Sequence, residues 1–339
     1  MQSQYPQIVS GAGHLSRQAF FYSWLAIGAC LLSSPVLPAQ DQAIPPTLLE
    51  PLKSDRLPNA LRLNQRLISG GQPEGEAAFA ELKELGIQTV ISVDGATPDV
   101  ATAEKFGLRY VHLPHGYDGI PAARAAELAK AIRDLPGPIY LHCHHGKHRS
   151  PAAAATACRA LGWVDEQQAA EVLKRAGTSP HYIGLFAATR QTRPLDPAHL
   201  DRLDVEFRST VPLPEVAEAM VAMELHFDRL EKLAANNWQP LPTHPDLKPE
   251  HEALLLRERY TELLRTESVQ AEPHAYQEQL RAGEQLAIAL EGLLRERIAP
   301  KGGLELARQM HALKANCTGC HRQFRDQPGG APLGREWTR

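Results

Sequence analysis

The chain has 339 residues, 36 basic and 39 acidic side chains and a formal net charge of −3. That balance gives no electrostatic case for binding nucleic acid or an anionic membrane surface, and the length suits two domains that each bury a core. Five cysteines in so long a chain make no disulfide framework.

The N-terminus reads as an export signal. Arg17 precedes an apolar run over 19–32, which ends in Ser33-Ser34-Pro35 and Val36-Leu37-Pro38-Ala39-Gln40. Cleavage after Ala39 would make 1–39 a signal peptide, and the apolar core is short and proline-terminated for a membrane span. Ile27-Gly28-Ala29-Cys30 loosely matches a lipoprotein cleavage box, so a lipid or an uncleaved N-terminal anchor is the other outcome. The expected location is the periplasm or otherwise outside the cytoplasm.

Residues 55–192 alternate strand-like and helix-like patterns. Thr89-Val90-Ile91-Ser92-Val93 and Leu108-Arg109-Tyr110-Val111-His112-Leu113-Pro114 read as strands. Pro138-Ile139-Tyr140-Leu141 is a further one; it leads into His142-Cys143-His144-His145-Gly146-Lys147-His148-Arg149-Ser150 and an alanine-rich run over 151–158. The order is buried strand, tight loop, helix. A loop entering a helix N-terminus aims several N–H groups and the positive dipole end at one spot, where an oxyanion would sit.

The residue types in that loop suit thiolate attack on phosphorus. Thiols at helix N-termini beside cations titrate at roughly 3.5–7.5, against ~8.5 for free cysteine, which makes Cys143 the candidate nucleophile. Arg149 offers a planar fork for two phosphoryl oxygens. Gly146 lets the loop curl with its amides inward, and Ser150 is placed to donate to the thiolate and ease its departure. His144, His145, Lys147 and His148 make the loop basic and, with Gly146 and Arg149, are candidates for substrate binding. The four histidines at 142, 144, 145 and 148 also admit a metal site, although ligands so crowded on one loop converge poorly on a tetrahedral ion. Cys158 reads as a buried helix residue.

From His142 to Ser150 the chain carries a complete HCxxGxxRS, and it resembles the cysteine-dependent protein tyrosine and dual-specificity phosphatases over 60–190. The small bacterial dual-specificity-like branch is the most similar. The resemblance implies an α/β domain with a central, mostly parallel sheet and flanking helices. It also implies Cys143 as nucleophile, Arg149 as phosphate ligand, a phosphorylated protein or small molecule as substrate, and no metal in the reaction. An upstream aspartate would protonate the leaving oxygen. Asp118, on the glycine-flanked loop His115-Gly116-Tyr117-Asp118-Gly119-Ile120-Pro121, is the expected acid; Asp94 and Asp99 are its rivals.

Pro194, Pro197, Pro212 and Pro214 give 193–212 the reading of a stiff linker. Four amphipathic stretches follow, over 213–236, 249–267, 273–297 and 302–326, with prolines and glycines in the gaps. In the first, Val216, Met220, Met223, Phe227, Leu230 and Ala234 form one apolar stripe, repeated by Leu280, Leu286, Leu290 and Leu294 in the third. His226 lies off the stripe and is expected at the surface. Four helices with one apolar face each imply an antiparallel four-helix bundle, through which two chains can dimerise.

The last stretch holds Cys317-Thr318-Gly319-Cys320-His321, the C-x-x-C-H pattern of haem c attachment. With Arg322-Gln323-Phe324-Arg325 after it, the region resembles the cytochrome c-prime family, with 213–326 as the domain and 327–339 as a mobile tail. That resemblance implies one haem c, bound covalently through Cys317 and Cys320, with His321 as proximal iron ligand. The sixth position falls to Met223, to Met220 one turn away, or stays open. Haem c is attached outside the cytoplasm, in agreement with the export signal. The expectation is an exported phosphatase acting through a cysteinyl phosphate, fused to a c-type cytochrome for haem-based sensing or for electron transfer with a redox partner protein. The alternative is a haem c electron carrier or sensor whose first domain only binds a phosphate-type anion. A third reading has the haem state control the oxidisable Cys143.

Overall fold

The computed structural model describes residues 49–242, 244–296 and 303–327; the expected signal peptide and the tail beyond 327 lie outside them. Strands β1 (Glu50–Pro51), β2 (Leu61–Arg62), β3 (Leu67–Gly70), β4 (Thr89–Ser92), β5 (Arg109–His112) and β6 (Ile139–His142) form one sheet in the order β1-β2-β3-β6-β4-β5. β1 and β2 add antiparallel, while β3, β6, β4 and β5 run parallel, as the sequence leads one to expect. Parallel strands need crossover helices and so become buried on both faces. Helices α1 (Gly75–Glu84) and α2 (Val100–Lys105) cover one face, where Phe79, Leu82 and Ala103 meet Ile68, Val90, Tyr110 and Tyr140. α3 (Ala122–Asp134), α4 (Arg149–Ala160), α5 (Glu166–Arg175) and α6 (Ile183–Gln191) cover the other, over Leu67, Ile91, Val111, Ile139 and Leu141. The period-2 alternation of Ile139, Tyr140 and Leu141 between the two cores follows from the pleat.

β6 occupies the middle. Its last residue, His142, pairs with Gly70 of β3 and with Ser92 of β4, so Cys143 emerges where three strand ends meet. That is the crevice in which open parallel sheets bind ligands. Every residue of α4 is buried, and its run of alanines lets it lie close on the sheet.

The 193–212 stretch, expected as a stiff linker, carries α7 (Pro197–Arg202), whose Leu200 is buried among Ala126, Ala129 and Ala160. Farther on, the Arg208 carbonyl accepts the His112 N–H at 2.9 Å. Four long helices then share one apolar core: α8 (Glu215–Ala235), α9 (Pro249–Arg265), α11 (His274–Arg295) and α12 (Gly303–Cys320), with the single turn α10 (Glu267–Gln270) after α9. α8 packs on α9, α9 on α11, and α11 on α12. The chain then passes into a π-helical segment, His321–Arg325. No helix among the described residues is long and apolar enough to cross a membrane.

His226 corrects the expectation of a surface residue. It is buried, with Nδ1 2.8 Å from Glu252 Oε2 on α9, and Arg229 Nη1 lies 3.4 Å from the same oxygen. A buried carboxylate on the facing helix offsets the cost of taking the imidazole inside. Hydrophobic periodicity does not register such a pair.

Candidate active site

The loop after β6 is held from several sides. Gly146 has φ +71°, and a Cβ there would run into the backbone of Gly70 and Gly71 and the Pro58 carbonyl, so only glycine fits. The Asn59 amide donates to the Gly146 carbonyl at 2.8 Å, Thr178 Oγ1 donates to the Lys147 carbonyl at 2.6 Å, and the Gln72 N–H donates to the His144 carbonyl at 3.0 Å. Cys143 is buried below the start of α4. Its thiol donates to Ser150 Oγ at 3.4 Å, and the Ser150 hydroxyl donates to the Gly70 carbonyl at 2.9 Å. The serine proton therefore faces Gly70 here and must swing round to reach a thiolate. Behind Cys143, the ring of His142 is fixed by a 2.6 Å hydrogen bond between Nε2 and the Tyr110 hydroxyl.

Arg149 and Asp94 form a buried ion pair, with Nη2 3.0 Å from Oδ1. Burial pushes the Asp94 carboxyl upward, but Arg149, aided by His142 and His144, holds it below the usual carboxylate range. Arg149 Nε and Asp94 Oδ2 are buried without a hydrogen-bond partner among the described residues. Asp99 caps α2, its Oδ1 accepting the Thr102 N–H at 3.1 Å. Asp118 lies on the wall of the cavity that Arg149 also lines, and burial raises its carboxyl pKa. Its backbone carbonyl rests on Gly184 of α6, where no Cβ has room. Of the three carboxylates, Asp118 alone both faces the cavity and is biased toward the protonated state.

The four histidines do not converge on one ion. His142 belongs to Tyr110, and His148 packs on Tyr182 with ring centroids 4.5 Å apart. Burial holds the His148 imidazole down to about 4, so it is neutral at pH 7 and adds no charge to the loop. The rings of His144 and His145 lie 4.4 Å apart and tilted, and His145 Nε2 lies 3.5 Å from Glu224 Oε1 of α8. Three residues at the site escaped the sequence reading: Tyr117, Tyr182 and Arg325. The guanidinium carbons of Arg149 and Arg325 lie 4.5 and 4.1 Å from the centroid of the Tyr117 ring, and Tyr182 packs 4.9 Å from it. The signals for Tyr117 and Arg325 were only their places, beside Asp118 and just beyond the C-x-x-C-H; nothing in the sequence marked Tyr182.

No family model matches the chain. The dual specificity protein phosphatase TpbA of Pseudomonas aeruginosa (strain UCBPP-PA14) is 29% identical over 153 residues, covering 44% of this chain and 69% of TpbA. The crystal structure of P. aeruginosa TpbA is similar with a TM-score of 0.39 and 22% identity, over 45% of this chain and 94% of that one. A cysteine-to-serine variant of TpbA in complex with phosphotyrosine gives a TM-score of 0.34 and 23% identity, over 50% and 95%. The homology to TpbA supports a phosphatase-like domain in this chain.

The cavity over Arg149, about 540 Å³ in volume, continues into the helical half. There it is lined by Cys317, Cys320, His321, Tyr260, Met223 and Met220, with Phe227, Leu256 and Leu313 as apolar wall. Cys317 and Cys320 stand one turn apart at the end of α12, and Cys317 Sγ lies 3.5 Å from the Tyr260 hydroxyl. Two thiols one turn apart, an adjacent imidazole and apolar walls fit a covalently held haem. Met223, buried on α8, borders the same space.

Proposed function

We propose that the chain is an exported, cysteine-dependent phosphomonoesterase of the protein tyrosine/dual-specificity type, joined to a c-type cytochrome domain. The observation that carries the phosphatase reading is the buried Cys143 thiol at the head of α4, beside an Arg149 anchored by Asp94 at 3.0 Å. TpbA's name and its phosphotyrosine complex support an aryl phosphate as the first substrate to try. In the reaction, Cys143 Sγ attacks phosphorus as the thiolate, its proton already lost to solvent, while Arg149 and the loop amides hold the equatorial oxygens. The ester P–O bond breaks and the leaving oxygen takes the proton of Asp118. Water then attacks the cysteinyl phosphate and gives its proton to the Asp118 carboxylate; the S–P bond breaks, releasing phosphate and the thiolate.

For the helical half we read α8, α9, α11 and α12 as a four-helix bundle of the cytochrome c-prime kind. Cys317 and Cys320 would hold haem c by thioethers, and His321 and Met223 would ligate its iron. The haem would supply one-electron chemistry or a ligand-sensing iron, exchanged with a redox partner outside the cytoplasm. Phosphate release from phenyl phosphate by the haem-loaded wild type and by Cys143→Ser tests the enzyme reading. Turnover that the substitution abolishes supports it; undiminished turnover overturns Cys143 as the nucleophile, and no turnover in the wild type favours the anion-binding alternative.

A further inference from the structure

We propose that Arg325, from the helical half, is a second anion-binding residue of the phosphatase pocket and selects phosphomonoesters that carry another phosphate or carboxylate. The inference rests on the phosphatase reading and names the substrate class of that same site.

Arg325 ends the π-helical segment that follows the C-x-x-C-H. Its neighbour Arg322 is exposed, whereas Arg325 turns in and lies on Tyr117 of the α/β half, 4.1 Å from the ring centroid. The Arg149 guanidinium lies 4.5 Å from that centroid, so the two cationic carbons are within about 8.6 Å of one another, the two ring distances added. Both residues border the same cavity. Like charges brought this near repel, and the face of a phenol ring offsets only part of that. Asp94 and Asp326 each neutralise one of the two, and the five N–H donors of each guanidinium exceed what one carboxylate takes up, leaving donors for a further anion.

The fork of Arg325 is aimed by its other partners. Nε donates to Asp326 Oδ1 at 2.7 Å and Nη2 reaches the Tyr182 hydroxyl at 3.5 Å. Asp326 is itself buried, so the side chain is anchored at its inner edge. Arg149 has a matching arrangement, with Asp94 as its anchor. A phosphomonoester held by Arg149 would extend past Tyr117, and an anionic group about one ring beyond the phosphate would reach Arg325. Small substrates with two phosphates, or aryl phosphates with a carboxylate, have this spacing.

The test uses the full, haem-loaded protein with three substrates: phenyl phosphate, 4-carboxyphenyl phosphate and hydroquinone bisphosphate. Arg325→Gln should lower the ratio of kcat/KM for either doubly anionic substrate over phenyl phosphate about 10–100-fold, the range expected for one lost charged hydrogen bond. The change should lie mostly in KM, and Arg325→Lys should restore part of it. The carboxylate and bisphosphate arms separate the two kinds of anion. A loss equal on all three substrates, or no loss, overturns the proposal, because Arg325 would then only shape the pocket. Calorimetric binding of the same molecules to Cys143→Ser, with and without Arg325→Gln, reads the same preference without turnover. Absence of turnover in the wild type would overturn the phosphatase reading alone, while equal binding with and without Arg325 would overturn this one. The Soret spectrum and Tm of each variant report whether it is folded.

Discussion

At the scale of single residues, Asp94 and Asp118 show how environment divides two chemically identical groups. Asp94 faces an arginine and is kept ionised; Asp118 faces a cavity wall and is biased toward its acid form. A general acid works while protonated, so turnover of an alkyl phosphate, whose leaving oxygen needs the proton, should fall as pH rises through the raised Asp118 pKa. Asp118→Asn should lower kcat by about 10²–10⁴ and flatten that limb of the pH profile. Aryl phosphates with good leaving groups should lose less. An unchanged alkaline limb in the variant would return the role to another group. Cys143, Arg149 and Ser150 were legible because their chemistry is encoded at fixed spacing in one loop. Asp94 as the partner of Arg149 was not, because the register between β4 and β6 brings the two together.

At the scale of elements, apolar periodicity foretold the strand–loop–helix at β6–α4 and the four long helices within a few residues. It did not foretell how closely the helices cross. Gly283 of α11 shows the difference: a Cβ there would lie 2.6 Å from a Tyr260 ring carbon and 2.8 Å from Asn316 Oδ1. Gly→Ala inside a helix ordinarily stabilises by about 1 kcal/mol, but overpacking a core costs about 1–3 kcal/mol. Tyr260 is buried and has little room to give, so the second effect should win. Gly283→Ala should therefore lower the denaturant midpoint by the equivalent of up to about 2 kcal/mol. It should also disturb the 3.5 Å contact between Tyr260 and Cys317. A more stable variant would show that α11 can slide.

At the scale of the whole molecule, buried neutral imidazoles make stability depend on pH. Burial holds His142 down to about 4 and His115 to about 3. In the unfolded chain both titrate near ~6.5, so below that value the unfolded state binds the extra protons and folding weakens as pH falls. From pH 7.5 to 4.5, His142 alone accounts for roughly 2–3 kcal/mol. Asp94, held low, keeps its contribution across that window and loses it only in stronger acid. Urea midpoints at the two pH values should differ accordingly; equal midpoints would mean that the buried imidazoles find other partners. The meeting of the two halves over one cavity was invisible in the sequence, because no local pattern records which outer faces touch.

The bond between His112 and Arg208 has a consequence for the chain's solubility. β5 is the last strand of the sheet, and an uncovered edge of four residues with free amides is a template for another chain to extend. The Arg208 carbonyl takes one of those amides, and the Val211 N–H turns back to His112 Nδ1 at 3.4 Å. The proline-rich connection thus acts as a guard rail: it blocks edge-to-edge aggregation while carrying the chain from one half to the other.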